Sequence, residues 1–287
     1  MNFFGRNSPQ VKAMRLVPMS DLLRRASKNK YAVPAFNIAN LETIKNVLTA
    51  ANELRAPVIV AVYHGDAYNS GFKTLVEITR CLGEGIDLEV AVHLDHGASL
   101  DQAVKAIRAG FTSVMYDGSS LPIAENIKNT KQVVEIARYA GVTVEAEVGA
   151  LGQQSLTDPD EAGRLAETGI DCIAVAIGNA HGWYRGECRL DFDRLGEIVK
   201  RTNIPIVLHG GTGIPREQIQ QAITMGIAKV NFGTVLRDRF VNGVKTFINN
   251  NPDINEIRDI LAGGAEPMKD AVRECIALCM AEGKCRA

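Results

Sequence analysis

The stretch Gly169-Ile-Asp-Cys-Ile-Ala-Val-Ala-Ile-Gly-Asn-Ala-His181-Gly decides the fold of this chain. Its run of small and β-branched apolar residues predicts a strand that is buried on both faces, as in a parallel sheet. The stretch ends in a histidine followed by a glycine. The same pattern recurs in residues 89–97 and 204–213, which contain His96-Gly and His209-Gly. Three predicted strands therefore each deliver a histidine to their carboxyl end.

A second pattern also recurs along the chain. Between a predicted helix and the strand that follows it stands a glycine or asparagine, a residue that readily adopts positive φ. Such residues commonly end helices, with glycine the most frequent and asparagine next. The spacing between successive breaks is roughly 23 to 34 residues, about what one helix, one strand and two short loops require. The breaks fall at Gly110, Gly141, Gly169, Asn203 and Gly226.

These breaks and three earlier apolar runs give eight predicted strands that alternate with helices. The count and the even spacing favour a single (β/α)8 TIM barrel of the α/β class over an open doubly wound sheet. In such a barrel the carboxyl ends of all strands open on one face, so the three histidines should converge. We expect residues 1–13, which are polar and aperiodic, to lie outside the fold, and residues 14–287 to form one domain.

Composition excludes several classes of function. A net charge of -1 over 287 residues gives no general attraction to nucleic acid or to an anionic membrane. Six cysteines without a paired motif indicate reduced thiols, and no apolar run reaches transmembrane length. We therefore expect a soluble, cytoplasmic protein. The helical tail after Arg237 exceeds what one barrel helix needs, which predicts a homodimer or homotetramer.

Three histidines on one face suggest metal chemistry. Three neutral imidazoles that leave one coordination position open are typical of a catalytic Zn2+, which acts as a Lewis acid. Asp95, directly before His96, is either a partner that orients an imidazole or a general base, and we favour the base. His93 is expected to pack in the interior and His64 to line the pocket.

Carboxylates follow at the ends of the next two predicted strands. Asp117 and Glu147, with Glu145 on the same side as Glu147 by period-two alternation, need partners if they are buried. Either they form a second cation position, or they pair with a lysine or arginine of the pocket.

The loops after the last two strands indicate a phosphate site. Gly210-Gly211-Thr212-Gly213 and Asn231-Phe-Gly233-Thr234 are short and bear glycine and hydroxyl groups. In this fold these loops frequently bind phosphate through backbone N–H groups at a helix start. Asn37, at the end of the first strand, is assigned to the same substrate pocket.

The chain resembles the class II, metal-dependent ketose-bisphosphate aldolases, in the branch that contains the tagatose- and fructose-bisphosphate aldolases. The resemblance runs from about Met14 to the end. It is carried by six motifs, namely Tyr31-Ala-Val-Pro-Ala-Phe-Asn-Ile, His93-Leu-Asp-His-Gly, Ala109-Gly-Phe-Thr-Ser-Val-Met, Val144-Glu-Ala-Glu-Val-Gly, Ala176-Ile-Gly-Asn-Ala-His-Gly and Leu208-His-Gly-Gly-Thr-Gly.

The resemblance implies a specific reaction. Zinc held by His96, His181 and His209 would stabilise the enediolate of dihydroxyacetone phosphate, and Asp95 would act as acid and base at the C4 hydroxyl of a ketose 1-phosphate or 1,6-bisphosphate. The C3–C4 bond then breaks to release an aldehyde. Asp117 and Glu147 match an alternative metal position. The C1 phosphate, with Na+ or K+ nearby, would lie against Gly182, Gly210, Thr212, Asn231 and Thr234.

Two departures from the family pattern bear on the substrate. The loop 149–158 lacks the glutamate to which the family assigns proton transfer at C3, and Tyr63 stands where many relatives carry serine. Arg237 and Arg258 are candidates to bind an anionic group at the far end of the substrate, Arg258 from a neighbouring subunit. The alternatives are an aldolase for a sugar-acid ketose 1-phosphate, a zinc hydrolase, and a catalytically impaired phosphosugar-binding protein.

Overall fold

The computed structural model describes residues 14–149, 156–184 and 186–286. The predicted extension, residues 1–13, lies outside this part of the chain. Residues 150–155, in the loop that departs from the family pattern, lie outside it too.

Eight parallel strands of the described chain close into a barrel, which confirms the (β/α)8 prediction. The strands are β1 Arg15–Leu16, β2 Val33–Asn37, β3 Val58–Tyr63, β4 Glu89–Gly97, β5 Ser113–Tyr116, β6 Thr143–Val148, β7 Cys172–Val175, β8 Ile206–Leu208 and β9 Ile227–Phe232. The order in the barrel is β4-β3-β2-β9-β8-β7-β6-β5, and pairing of β5 with β4 closes the ring. The short strand β1 pairs with the start of β4.

Helices surround the barrel. They are α1 Met19–Asn29, α2 Leu41–Glu53, α3 His64–Ser70, α4 Phe72–Leu82, α5 Leu100–Ala109, α6 Ile123–Ala140, α7 Pro159–Ala166, α8 Phe192–Thr202, α9 Arg216–Met225, α10 Thr234–Asn250, α11 Ile257–Ala262 and α12 Ala265–Leu278. Gly110, Gly141 and Asn203 follow helix ends in the left-handed region, as the sequence predicts. None of the described helices combines the length and apolar character needed to span a bilayer.

Helix α1 covers the amino-terminal end of the barrel. Its apolar face is fully buried through Met19, Leu22, Leu23 and Ala26. The backbone N–H of Ser20 donates to the Oγ1 atom of Thr143, at the start of β6. The opposite end, where the strands finish, is left to form the site.

The carboxyl-terminal tail continues the last barrel helix. Helix α10 runs unbroken from Thr234 to Asn250, past Arg237. Helix α12 buries one face against the rest of the protein. Helix α10 buries only Leu236, and α11 buries no side chain. These two helices expose Val241, Ile248 and Ile257.

Candidate active site

The three histidines of the His-Gly motifs lie together at the carboxyl end of the barrel. Their candidate ligand atoms all lie within 4.8 Å of one another. The ring centroids are 5.1 Å apart for His96 and His181, 4.8 Å for His96 and His209, and 6.1 Å for His181 and His209. The structure therefore brings together three imidazoles from β4 and from the segments that follow β7 and β8.

The backbone at His96 is held in an uncommon conformation. Its φ of 52° lies in the left-handed region, which a non-glycine residue adopts only when its surroundings enforce it. The register of β4 against β5 is irregular between Leu94 and Gly97. The Nδ1 atom of His64 donates to the His96 carbonyl oxygen at 2.6 Å. His64 was predicted to line the pocket; instead it fixes the backbone that aims the His96 ring.

Carboxylates fix the tautomers of two imidazoles. The Nδ1 atom of His96 lies 2.7 Å from Oδ2 of Asp117, and Nε2 of His209 lies 2.8 Å from Oε1 of Glu145. An ionised carboxylate only accepts, so each of these ring nitrogens carries the proton. The remaining nitrogens, Nε2 of His96 and Nδ1 of His209, face each other at 3.1 Å. Two facing lone pairs require a cation or a proton between them, so this site fits a metal ion.

The surrounding charges set the protonation of the other rings. Burial and the neighbouring imidazoles of His209 and His96 lower the pKa of His181 to about 4, which keeps this ring neutral. Burial lowers the pKa of His96 as well, but the carboxylates of Asp95, Asp117 and Glu147 outweigh it and raise the pKa to about 9. A proton on His96 and a bound divalent cation are therefore alternatives.

Glu147 offers a second cation position. Its Oε2 atom is buried without a hydrogen-bond partner and lies 3.9 Å from Nδ1 of both His96 and His209. Burial and the charge of Asp117 raise the pKa of Glu147 well above its usual range. His96, Asp117 and Glu147 form a second group whose ligand atoms could hold a metal. An orphaned buried oxygen of this kind needs a proton or a cation.

Asp95 is a buried carboxylate with two amide partners. Asn37 donates from Nδ2 to Oδ2 at 2.7 Å, and Asn231 donates from Nδ2 to Oδ1 at 3.0 Å. Burial alone would raise the pKa of Asp95, but the imidazoles of His96 and His209 lower it below its usual range. The described contacts of Asp95 are amides and not an imidazole, so the interpretation that it orients a histidine is wrong. Sequence reasoning also missed that Asn37 and Asn231 contact Asp95.

Beneath the imidazoles lies a polar cluster in the barrel interior. Glu145 accepts from Lys229 Nζ at 2.6 Å as well as from His209, and Lys229 Nζ lies 3.3 Å from Nε2 of His93. Burial and the charge of Lys229 lower the pKa of His93 to about 3. The carboxylate–lysine alternative therefore holds for Glu145, and His93 is interior as predicted. Lys229 was missed, although it lies two residues before Asn231 and so on the same face of β9.

The predicted phosphate end of the pocket is built on close backbone contacts. Gly210, at φ 66°, has no room for a side chain, because an added Cβ would lie 2.1 Å from the carbonyl oxygen of Ala180. The hydroxyl of Tyr184 accepts from Ala180 N–H at 2.9 Å, which ties the segment after β7 in place. The amino terminus of α10 opens here at Thr234.

The pocket is lined by twelve of the described residues. Gly211, predicted to bind phosphate, is not among them, because its N–H donates to the carbonyl oxygen of Asn231 and an added Cβ would meet Val230. Arg258 is also outside the pocket of the single chain; its side chain is 80% exposed, and its guanidinium contacts Asp259. The lining residues are Asn37, Tyr63, Asp95, His96, His181, Gly182, Gly210, Thr212, Asn231, Gly233, Thr234 and Arg237.

A closed barrel whose strand ends carry a cluster of imidazoles and carboxylates defines a barrel enzyme. Comparison with known proteins identifies the class of enzyme. Residues 17–284 match the family model described as fructose-bisphosphate aldolase class-II. The chain belongs to this family, and it is an aldolase, a carbon–carbon lyase.

Individual relatives support this assignment to the family. A fructose-bisphosphate aldolase of Geobacillus stearothermophilus is 45% identical over 272 residues, which cover 90% of this chain and 95% of that protein. One from Staphylococcus aureus strain Mu50 is 44% identical, over 91% of this chain and 96% of that protein. The crystal structure of the YdjI aldolase of Escherichia coli K12 superposes with a TM-score of 0.86 at 32% identity, covering 95% of this chain and 100% of that one.

Proposed function

We propose that this aldolase reversibly cleaves a ketose 1-phosphate or ketose 1,6-bisphosphate of the fructose or tagatose type into dihydroxyacetone phosphate and an aldehyde. The observation that carries the proposal is the pair of facing nitrogens of His96 and His209 beside the ionised carboxylate of Asp95. A cation that stabilises negative charge next to a buried base suits cleavage of the bond between the α and β carbons of a hydroxyketone.

The proposed cofactor is Zn2+, held by His96, His181 and His209. Nitrogen ligands from three histidines with an open position suit catalytic zinc. When bound, zinc supplies a Lewis acid that stabilises negative charge on the oxygens of dihydroxyacetone phosphate. Asp117 and Glu147 provide an alternative position with His96, and we place a monovalent cation, Na+ or K+, near the phosphate.

The proposed catalytic residue is Asp95. In the cleavage direction its carboxylate takes the proton of the C4 hydroxyl, and the C3–C4 bond breaks. Asn37 and Asn231 hold both carboxylate oxygens, so the base meets the substrate in one orientation. Because the loop lacks the family's glutamate, proton transfer at C3 falls to water or to another group.

The proposed phosphate site combines backbone and side-chain donors. Thr212, Thr234 and Arg237 line the pocket, and α10 begins at Thr234, so we place the phosphate at the start of this helix. Gly182 and Gly210 let the phosphate approach the backbone. Gly233 precedes the helix and packs against Asn37.

A second candidate substrate is a sugar-acid ketose 1-phosphate. Among the described residues that line the pocket, Arg237 is the only lysine or arginine, and one guanidinium serves one phosphate. Tyr63 lines the pocket and is 43% exposed, and we place its ring at the far end of the substrate, where it would narrow the space for a second phosphate. These features favour an acceptor aldehyde without phosphate, unless a neighbouring subunit supplies Arg258.

We also propose a homodimer or homotetramer in the cytoplasm. The exposed apolar side chains of α10 and α11 support the oligomer, because a helix that buries none of its side chains in its own chain commonly packs on a partner. All six cysteines are free thiols, as in a reducing compartment. We propose residues 14–287 as one domain, with residues 1–13 outside it.

A screen of aldehydes with dihydroxyacetone phosphate tests the proposal. The expected result is zinc-dependent condensation with a hydroxyaldehyde, and the preferred acceptor decides between the bisphosphate and the sugar acid. Turnover of a phosphate ester without any aldehyde would indicate a zinc hydrolase. Binding of dihydroxyacetone phosphate without condensation, in zinc-loaded protein, would indicate an impaired binding protein and contradict the proposal.

A further inference from the structure

The polar cluster beneath the imidazoles consists of side chains that are all closed to solvent. His93, Glu145, His209 and Lys229 are each 0% exposed. They project from β4, β6, the end of β8 and β9, so the cluster crosses the barrel interior, a layer that such barrels normally fill with Val, Ile and Leu. A buried charge pair with so much desolvation is seldom a net source of stability. The presence of this buried ion pair therefore indicates a role other than stabilising the fold.

In each hydrogen bond of the cluster, only one assignment of donor and acceptor is possible. Lys229 has only donors, so Glu145 Oε2 and Nε2 of His93 must accept from it. His93 then carries its proton on Nδ1 and donates it to the Ser113 hydroxyl at 2.8 Å. The second oxygen of Glu145 accepts from Nε2 of His209. This leaves the lone pair of His209 on Nδ1, the atom that faces His96.

We infer that Glu145 and Lys229 are positioning residues for metal binding: their buried ion pair locks His209 in the tautomer and ring orientation that present Nδ1 to the cation. The inference rests on the proposed metal site. Glu145 belongs to neither group whose atoms could ligate the ion, and its contact with a proposed ligand is the hydrogen bond from His209. Partners of this kind commonly change metal affinity about 10- to 100-fold when they are removed.

Paired substitutions avoid leaving one buried charge without its partner. The variant Glu145→Met/Lys229→Met replaces both side chains by apolar ones of similar volume, which proteins often tolerate. The variant Glu145→Gln/Lys229→Met removes both charges but keeps a carbonyl oxygen that can accept from His209. Cys172→Ala is the matched control, because Cys172 Sγ contacts Glu145 Oε2 at 3.7 Å without belonging to the ion pair.

The readout is the zinc dissociation constant, measured by competition with a chelator, together with the melting temperature of each metal-free protein. We expect zinc to bind about 10- to 100-fold more weakly to the Met/Met variant, and the Gln/Met variant to recover most of that loss. Cys172→Ala should match the natural protein. A merely structural role would lower the metal-free melting temperature and leave zinc affinity unchanged.

Two outcomes separate this inference from the proposed function. If the natural protein takes up no zinc, the proposed metal site fails and this inference fails with it. If the natural protein and a folded Met/Met variant bind zinc equally, only this inference is overturned.

A measurement on the natural protein covers the case in which the variants do not fold. Nitrogen-15 spectra of histidine-labelled, metal-free protein, assigned with a His209→Gln variant, report the tautomer of His209. A proton on Nε2 supports the inference, and a proton on Nδ1 overturns it.

Discussion

The Nε2 atom of His96 and the Nδ1 atom of His209 face each other at 3.1 Å, although 113 residues separate them in the chain. Asp117 and Glu145 hold the opposite nitrogens of the two rings, so neither ring can turn that proton toward the other without losing its carboxylate partner. In the metal-free protein a proton on His96 lies between the facing nitrogens, and a bound cation takes the place of that proton. Four consequences can be measured.

Substitution His209→Ala should abolish zinc binding and cleavage together. The change removes one of three nitrogen ligands and leaves Glu145 without its imidazole partner. Metal analysis of the purified variant, with its melting temperature as a check of folding, measures the effect. Full zinc occupancy in each of the single alanine variants of His96, His181 and His209 would contradict the assignment of these ligands.

Substitution Asp95→Asn should leave zinc in place and remove cleavage. The amide has the shape of the carboxylate but cannot take a proton, and loss of a general base typically lowers kcat by about 10²- to 10⁴-fold. Zinc content and the rate of ketose cleavage are measured on the same sample. A variant that keeps most of its activity would show that another group is the base.

Zinc affinity of the metal-free protein should increase with pH. Burial lowers the pKa of His96, but the carboxylates of Asp95, Asp117 and Glu147 outweigh it and raise the pKa to about 9. Below this value the ring holds a proton that zinc must displace, so affinity should rise about tenfold per pH unit and level off above it. Titrations in competition with a chelator, from pH 6.5 to 9.5, measure the slope. A constant affinity across this range would contradict the expected proton release.

Substitution Tyr63→Ser should shift the choice of acceptor toward phosphorylated aldehydes. Removing the ring from the pocket opens space at the far end of the substrate, and one contact of this size is worth roughly 10-fold in kcat/KM. The ratio of kcat/KM for fructose 1,6-bisphosphate and fructose 1-phosphate reports the shift. Tyr68→Ser is the matched control, because Tyr68 is 53% exposed on α3 and does not line the pocket. An equal shift in both variants would show that Tyr63 does not contact the acceptor.

Much of the fold can be predicted from the sequence, for a physical reason. The backbone locally requires a glycine or asparagine after many helix ends, so Gly110, Gly141 and Asn203 directly indicate the helix–strand repeat. Parallel strands share one carboxyl end, so histidines that end different strands must converge. The meeting of His96, His181 and His209 follows from topology alone.

The contacts between side chains are harder to predict from the sequence. Asn37 and Asn231 lie on neighbouring strands, yet which of their atoms meets Asp95 depends on register and rotamer. Lys229 lies in an apolar strand and gives no hint of Glu145, 84 positions earlier. His64 follows a strand, as residues that line the pocket do, but the left-handed backbone at His96 places a carbonyl within its reach.

Hydrogen exchange at C3 of dihydroxyacetone phosphate in deuterated water tests the central claim most directly. Exchange requires that the protein stabilise the carbanion, and it needs no knowledge of the aldehyde. We expect exchange with zinc-loaded protein, loss of exchange after chelation or in His209→Ala, and recovery in the natural protein when zinc is returned. Exchange that continues unchanged after the metal is removed would contradict the account, and so would its absence from zinc-loaded protein that binds dihydroxyacetone phosphate.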